Sequence, residues 1–462
     1  MVGQIRASGF GQVGLAITLV MSIRRNIDIR PIATVIKTLS LIAGLWLSVA
    51  SAENARELSL LHALKAASSH ERVIAALKNA DAAEAEIQIA DRAPPPIANA
   101  SLSSIDLEHG IGAGSLSTQK SIDKGVGVDW TWERGGKRSL RIAVAKHHAT
   151  ALRAEYFDAI KNQQLSVIEQ FYEALSAQER LAILSTLAQS ADRMAILARA
   201  RYALGDLSAQ DLARLEIEAQ RATAEFKQAQ WLVDRAKKQL RLALGNRREG
   251  HSLEVPSNIV RTTEPSWSVQ VEWPALRPMT DVDLNRLAFD WPAIQASLAH
   301  LQAARAQVDL VSAQDFSDPT YGIGLNHYPT TSKALLGLRA SMPLYGKQYF
   351  AGDKQRASAL LQATDHQHQD LMRRVNTEIY ILYHQRNNAY HRLIQYEEEM
   401  LPKSLKVSLQ AEQAFAQGGQ TLTDLLEARR TYKSIQLEAL QWRTDFAKAE
   451  QSLRLMLNEL KP

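Results

Sequence analysis

Two hydrophobic patterns alternate along the chain, and each occurs in both halves. In long stretches, apolar residues recur three and four positions apart, which places them on one face of an α-helix. An example is the set Leu165, Ile168, Tyr172 and Leu175. In short stretches, apolar and polar residues alternate, which is typical of a strand buried on one face. The clearest strand has the apolar side Val126, Val128, Trp130 and Trp132.

The first half, residues 53–246, predicts a helix, two strands, a very long helix and a returning helix. The first helix is predicted from Leu58 to Asp91, because the prolines that begin at Pro94 cannot continue it. A weakly alternating stretch, 97–108, and a Gly/Ser-rich loop, 110–117, precede the clear strand. The 67 residues from 138 to 204 contain neither Gly nor Pro. They predict a helix about 100 Å long, and the returning helix ends at Leu244.

The second half, residues 283–462, predicts the same order of elements, after a Pro-rich linker over 247–282. A helix is expected over 283–313, and two strands follow, around 321–325 and 336–344. The final long helix carries apolar residues at heptad spacing with one polar member, and Pro402 is expected to bend it. The heptad positions are Ile379, Leu382, Arg386, Ala389, Leu393, Tyr396 and Met400.

One short motif appears in both halves, 213 positions apart. It consists of an aromatic residue, a Gly, a hydroxyl residue, an Asp and a Leu. The Gly suits the left-handed position just past a helix end, and the hydroxyl residue with an acid three positions later suits a helix N-cap. The motif therefore predicts two helix hairpins and an internal duplication. The two copies are Tyr202, Gly205, Ser208, Asp211 and Leu212, and Phe415, Gly418, Thr421, Asp424 and Leu425.

The first 52 residues have the pattern of a cleavable signal peptide rather than of a folded element. A basic flank at Lys37 precedes an apolar run and an Ala50-Ser51-Ala52 cleavage site, and the true translation start is expected at Met21. The formal net charge of the whole chain is +5. Most of this charge lies in the signal peptide, so the mature chain has no basic surface of the kind that binds nucleic acid.

The chain contains no Cys, so neither a lipid anchor after the signal peptide nor disulfides are expected. No motif for catalysis or for a cofactor is present, so an enzyme is not expected. Neighbouring histidines occur at His147 and His148 and at His366 and His368. Such spacings do not share a helix face well. They are therefore interpreted as solvated surface residues, and no metal site is predicted.

Four short strands cannot close a membrane barrel, which needs at least eight. Two alternatives stay open at this point: strands pooled between chains around a lumen, or a small soluble sheet. The order of elements, given twice behind a signal peptide, resembles the TolC family of outer membrane efflux proteins. The segment from Trp132 to Arg141, with Gly135, Gly136 and Lys137, is similar to the CzcC-type, heavy-metal branch of that family.

The resemblance implies a mainly α fold with a small β part. Three chains would pool two β-hairpins each into a 12-stranded outer membrane β-barrel. Their long antiparallel coiled-coil helices would form a periplasmic α-barrel. The implied partners are a periplasmic adaptor (membrane fusion) protein, docked at both hairpin tips, an inner-membrane pump of the resistance–nodulation–division (RND) type, and outer membrane lipid around the strand that carries Trp130. The implied function is a passive exit duct, most specifically for divalent metal cations.

The resemblance also places Asp424 and Glu427 in two acidic rings at the channel constriction. They lie three residues apart and share a helix face, whereas the first copy has Asp211 followed by Arg214. From the residues alone, Asp424 is interpreted as a helix cap and Glu427 as a solvated surface charge, and only the resemblance favours the rings. Within the channel class, multidrug efflux and type I secretion are alternatives. A soluble periplasmic coiled-coil scaffold or adaptor is the alternative of another class.

Overall fold

A computed structural model describes residues 57–105, 107–108, 122–245, 267–277, 290–329, 332–346, 348–457 and 459. The predicted signal peptide, the Gly/Ser-rich loop at 110–117 and most of the 247–282 linker lie outside these residues. The first half contains β1 (Glu57–Leu58), α1 (Leu60–Ala67), α2 (Glu71–Ala90), β2 (Ile97–Ser103), β3 (Asp123–Thr131), α3 (Lys137–Ala203) and α4 (Ala209–Leu244). The second contains β4 (Ser268–Val269), α5 (Pro292–Ser312), β5 (Thr320–Tyr328), β6 (Ser332–Ser341), α6 (Ala351–Ile394), α7 (Leu401–Ala416) and α8 (Leu422–Met456).

The predicted mainly helical fold with a small β part is confirmed. The helix α3 has 67 residues, so it extends for about 100 Å. Its buried middle section, around Phe171 and Tyr172, packs against α1, α4, α8 and the short strand pair β1–β4. Tyr172 stacks on Trp273, with ring centroids 5.7 Å apart, and Trp273 donates a hydrogen bond to Glu179. This cluster attaches the described part of the linker to the middle of the helices.

The single first helix predicted over 58–91 is wrong, because the structure has two helices there. Leu58 lies in β1, and α1 ends at Ala67. The hydroxyls of Ser68 and Ser69 donate to the carbonyls of Lys65 and Ala66 at 2.7 and 2.8 Å. Such local bonds compete with helix continuation.

Two further boundaries differ from the predictions. The first strand stops at Ser103 rather than at Glu108, because Ser104 turns the chain with a positive φ of 62°. The last strand is Ser332–Ser341 rather than 336–344. The end of the first strand and the start of the last one lie beside the loops that connect the strands within each hairpin, where side-chain alternation alone marks the ends poorly.

The heptad pattern of the last long helix was expected to continue unbroken to Met400, with a bend at Pro402, but the helix changes form before Pro402. The α-helix α6 ends at Ile394, and residues Gln395–Met400 form a π-helical segment before α7. Pro402 has no N–H for the carbonyl of Glu398, and its ring crowds that carbonyl. The wider π turn relieves this crowding. The buried heptad seam therefore ends at Leu393, and the side chains of Tyr396 and Met400 are only half-buried.

The four longer strands form one antiparallel sheet in the order β2-β3-β5-β6. The two predicted hairpins therefore join through the β3–β5 pair, in which Val126 faces Leu325 and Val128 faces Ile323. The apolar face of the sheet is exposed in the single chain, with Val126 61% and Leu338 80% accessible. Among the described helices, none has an apolar stretch long enough to cross a bilayer.

The opposite face of the sheet is polar and rich in glycine. Arg339 on β6 reaches across β5 and donates to both carboxylate oxygens of Asp129 on β3, at 2.7 Å each. Asn99 on β2 donates to the same carboxylate at 2.8 Å. A Cβ at Gly322 would lie 2.1 Å from an oxygen of Asp129. Glycine at this position therefore makes the polar network across the sheet possible.

Candidate functional site

The two helix hairpins end in turns with the same hydrogen bonds. Gly205 and Gly418 both have left-handed φ angles, 84° and 77°. The amide of Gly205 donates to the backbone carbonyl of Tyr202, and the next amide, of Asp206, donates to the backbone carbonyl of Arg201. Gly418 and Gly419 donate to Phe415 and Ala414 in the same way. This pair of bonds is the Schellman motif, which satisfies the last carbonyls of a helix.

The returning helices begin with the predicted caps. The hydroxyl of Ser208 accepts from the amide of Asp211 at 3.0 Å. The hydroxyl of Thr421 accepts from the amide of Asp424 at 3.3 Å, and the Asp424 carboxylate accepts from the Thr421 amide at 3.2 Å. The second turn is thus a reciprocal capping box with Asp in place of Glu. The capping interpretation of Asp424 is confirmed.

The two tips pack against each other through an apolar cluster. Leu425 is fully buried, and Leu212 and Phe415 are partly buried against the cluster. Tyr202, the counterpart of Phe415, is instead 47% exposed. The two aromatic positions of the motif are therefore not equivalent in the fold. The buried members of the cluster are Ala198, Leu215, Ala411, Leu422 and Leu425.

Ion pairs connect the helices beside this cluster, and sequence reasoning missed them. Within the first hairpin Arg199 pairs with Glu216 at 2.7 Å, and within the second Arg429 pairs with Glu412 at 2.8 Å. These pairs occupy positions 213 residues apart with the charges exchanged. A search of the repeat for exchanged charges would have found them. A third pair, Arg430 with Glu218 at 2.6 Å, joins the second hairpin to the first.

The charges of the two tips are arranged differently. Asp211 lies 3.7 Å from Arg214, so the charge of this acid is offset locally. Asp424 and Glu427 are both exposed. Within the described residues, Glu427 has no ion-pair or hydrogen-bond partner. The second tip therefore presents two carboxylates that no basic side chain of the described chain offsets.

The segment Trp132–Arg141 connects the sheet to the helices. Lys137 donates to Asp318 at 2.7 Å, and the amide of Arg134 donates to the same carboxylate at 2.8 Å. Arg141 forms a two-pronged pair with Glu133 and also donates to the carbonyl of Arg92. A Cβ at Gly135, which has a φ of 67°, would lie 2.7 Å from the Phe316 ring. The motif is thus a tightly packed strand-to-helix joint.

The fold, with a long helical hairpin in each half joined to a shared antiparallel sheet, is similar to that of several solved outer membrane channels. CusC was solved in a study of its folding and transmembrane channel formation. It aligns with a TM-score of 0.68 at 14% identity, over 86% of this chain and 91% of the CusC chain. The CmeC outer membrane channel of Campylobacter jejuni gives 0.66 at 14% identity, over 86% and 85%. The open MtrE outer membrane channel of Neisseria gonorrhoeae gives 0.62 at 17% identity, over 86% and 88%.

Sequence comparison agrees with the fold. Residues 64–246 match the family described as outer membrane efflux protein. A relative, the cobalt-zinc-cadmium resistance protein CzcC of Cupriavidus metallidurans, is 26% identical over 217 residues. This match spans 46% of the chain and about half, 49%, of the relative. The predicted resemblance to outer membrane efflux proteins, and to the CzcC type among them, is confirmed.

Proposed function

We propose that this chain is the outer membrane exit duct of a tripartite efflux system of the RND type and that it exports divalent heavy-metal cations. In this proposal it is a homotrimer that spans the outer membrane and extends into the periplasm. A periplasmic adaptor and an inner-membrane pump supply the cargo and the energy. The observation that carries the proposal is the four-stranded sheet, with its exposed apolar face and its glycine-rich polar face.

The two faces of this sheet suit a wall between lipid and water. One face carries Val126, Val128 and Trp130 beside the apolar residues of β5 and β6, and all three are at least 41% exposed in the single chain. The other face carries the Asp129–Arg339 pair. Membrane barrels place apolar side chains toward lipid and polar ones toward the lumen. A small soluble sheet would instead leave this apolar face in water at a large cost in free energy.

The edges of the sheet support assembly with further copies. In the described part of the chain, β2 pairs only with β3 and β6 pairs only with β5. Unpaired edges are templates for strand addition. Three copies joined edge to edge would contain twelve strands, which is enough to close a barrel.

The tips suit docking of a partner and filtering of cations. Leu197, Tyr202 and Leu204 are exposed beside the first turn, by 63%, 47% and 77%. They offer an apolar surface for an adaptor. In a threefold assembly, Asp424 and Glu427 would form two rings of carboxylates, which attract cations.

Assembly is tested by outer membrane fractionation and by the shift of the trimer band on heating. Trp130→Lys should weaken the heat-sensitive trimer, because a lysine that faces lipid destabilises a barrel, by an amount that rises with its depth to about 2–4 kcal/mol at the bilayer midplane. Trp231→Lys is the matched control, since Trp231 is 59% exposed on α4, away from the sheet. A soluble wild-type monomer would refute the channel and favour the periplasmic scaffold.

The acidic tip is tested by conductance in planar bilayers. The double variant Asp424→Asn, Glu427→Gln removes both charges but keeps the capping oxygen of residue 424. It should lower the ratio of cation to anion permeability. Asp211→Asn is the control, because Arg214 already offsets that acid. Equal permeability ratios in all three proteins would exclude the filter while leaving the channel intact.

The cargo is tested by growth of a deletion strain on zinc, cobalt, cadmium, nickel and copper, beside dyes and detergents. Sensitivity to metals alone, restored by the wild-type gene, supports metal export. The name of the CzcC relative favours this outcome over multidrug efflux or type I secretion. Sensitivity to dyes and detergents alone would assign the duct to drug efflux.

A further inference from the structure

A cluster of two histidines and two glutamates lies where α2, α3 and α5 meet, away from both the tips and the sheet. Nδ1 of His148 on α3 lies 3.3 Å from a carboxylate oxygen of Glu86 on α2. Nε2 of His300 on α5 lies 2.7 Å from a carboxylate oxygen of Glu155 on α3. The two imidazole rings have centroids 6.1 Å apart. The four side chains are 36–55% exposed, so ions in solution can reach them.

Each histidine uses one ring nitrogen on a carboxylate, which leaves the other nitrogen free to act as a ligand. When a carboxylate accepts the N–H of one nitrogen, the lone pair of the other is available. The nitrogens in question are Nε2 of His148 and Nδ1 of His300. Within the described residues, neither has a hydrogen-bond partner. Metal-binding histidines commonly have a carboxylate on the far nitrogen, which fixes the tautomer and raises the basicity of the ligand.

The separation of the rings suits one shared ion. With metal–nitrogen bonds of about 2.1 Å, two imidazoles on one ion have centroids roughly 5–6.5 Å apart. Imidazole ligands favour zinc, cobalt, nickel and copper, whereas magnesium and calcium favour oxygen. Within the described residues, no group of three or more His, Asp or Glu side chains is arranged to hold a metal. Water would therefore take the remaining coordination positions.

We propose that His148 and His300 bind one divalent transition-metal ion and that Glu86 and Glu155 orient the two rings. Such an ion would join α3 of the first half to α5 of the second. This proposal differs from the sequence interpretation of His148 as a solvated surface residue. The proposed site does not rest on the proposed transport function, because metal binding is measured on the purified protein alone, without any transport assay.

The test is titration of the purified, untagged full chain in detergent with zinc and, separately, cobalt. We expect one site per chain in calorimetry and a visible cobalt absorption band from nitrogen ligation. His148→Gln and His300→Gln should each weaken binding at least tenfold, and Glu155→Gln by about 10–100-fold. Adding zinc should also raise the melting temperature of the wild type but not that of the two histidine variants.

Two matched controls make the result decisive. His147→Gln changes the adjacent residue of α3, and His366→Gln changes an exposed histidine of α6; both should bind as the wild type does. Equal melting temperatures without metal show that the variants are folded. Unchanged affinity in His148→Gln and His300→Gln, or lost affinity in the controls, would overturn the site. A strain without a metal phenotype would refute metal export and leave this binding result unaffected.

Discussion

The buried ion pair between Arg386 and Glu450 gives the sharpest test of what stabilises the helical part. Arg386 is the one polar member of the heptad seam of α6, and its side chain is 2% exposed. It donates to Glu450 on α8 at 2.8 Å, to Asn387 at 3.0 Å and to the carbonyl of Arg277. Its guanidinium also lies 5.2 Å from the centroid of the Phe446 ring.

Removing one partner leaves a buried charge without compensation, which typically costs about 3–5 kcal/mol. We expect Glu450→Gln to show this full cost, because Arg386 then has only neutral acceptors. Arg386→Met should cost less, since Glu450 still accepts from Arg454 at 2.7 Å. The double variant Arg386→Met, Glu450→Met should be more stable than either single one, because well-packed apolar residues can replace a buried pair.

The assay is thermal unfolding of the detergent-solubilised protein. An unfolding entropy of about 2.1 cal/mol/K per residue over about 400 residues is roughly 0.8 kcal/mol/K, so 3–5 kcal/mol lowers Tm by about 4–6 °C. The control is Arg374→Met, which removes an exposed pair with Asp370 on the same helix and should cost under about 0.5 kcal/mol. The reasoning is refuted if Glu450→Gln has the same Tm as the control, or if the double variant has the lowest Tm of the set.

Three further predictions concern the turns and one buried acid. Gly205→Ala places a Cβ at a left-handed φ and should cost about 1–2 kcal/mol, seen as roughly tenfold faster amide exchange at the first tip; Gly352→Ala, in ordinary helix geometry, should not speed exchange in α6. Thr421→Val removes the hydroxyl half of the capping box, worth about 1 kcal/mol, so exchange in the first turn of α8 should rise about fivefold. Burial raises the pKa of Asp445, against an opposing hydrogen bond from Gln441. A raised carboxyl pKa gives stability that is present at low pH and lost as pH rises. Asp445→Asn should therefore raise Tm at pH 7 but not near pH 3, and an equal gain at both would contradict this.

Features with local signals were predictable from the sequence. The glycine turns, the two N-caps and the alternation in β3 depend on residues a few positions apart, and the structure has each of them. The long helix was predicted at 138–204 and is observed at Lys137–Ala203. Its length follows from the lack of Gly and Pro, which needs no knowledge of packing. These features identified the fold class and the tips.

Features that depend on distant partners were not predictable in the same way. The β3–β5 pair joins residues about 200 positions apart, and the sequence of neither strand indicates which strand will pair with it. The strand pair β1–β4 consists of two residues each and has no alternation to detect. Arg386 appeared only as an exception in a heptad, because its partner Glu450 comes from another helix. Glu86, His148, Glu155 and His300 likewise come from three helices, so no sequence spacing links them.

The two ion pairs with exchanged charges show that the fold at the tips needs a pair of opposite charges but not a particular order of them. Arg199–Glu216 and Arg429–Glu412 occupy equivalent positions with opposite order. A partly exposed pair stabilises by at most about 1 kcal/mol, and its sign does not matter to that energy. The exposed turns differ in another way, because the first balances Asp211 with Arg214 while the second keeps Asp424 and Glu427 unbalanced. Asp424 takes part in the capping box of α8, whereas Glu427 has no partner within the described residues, so a role in attracting cations is to be tested first at Glu427.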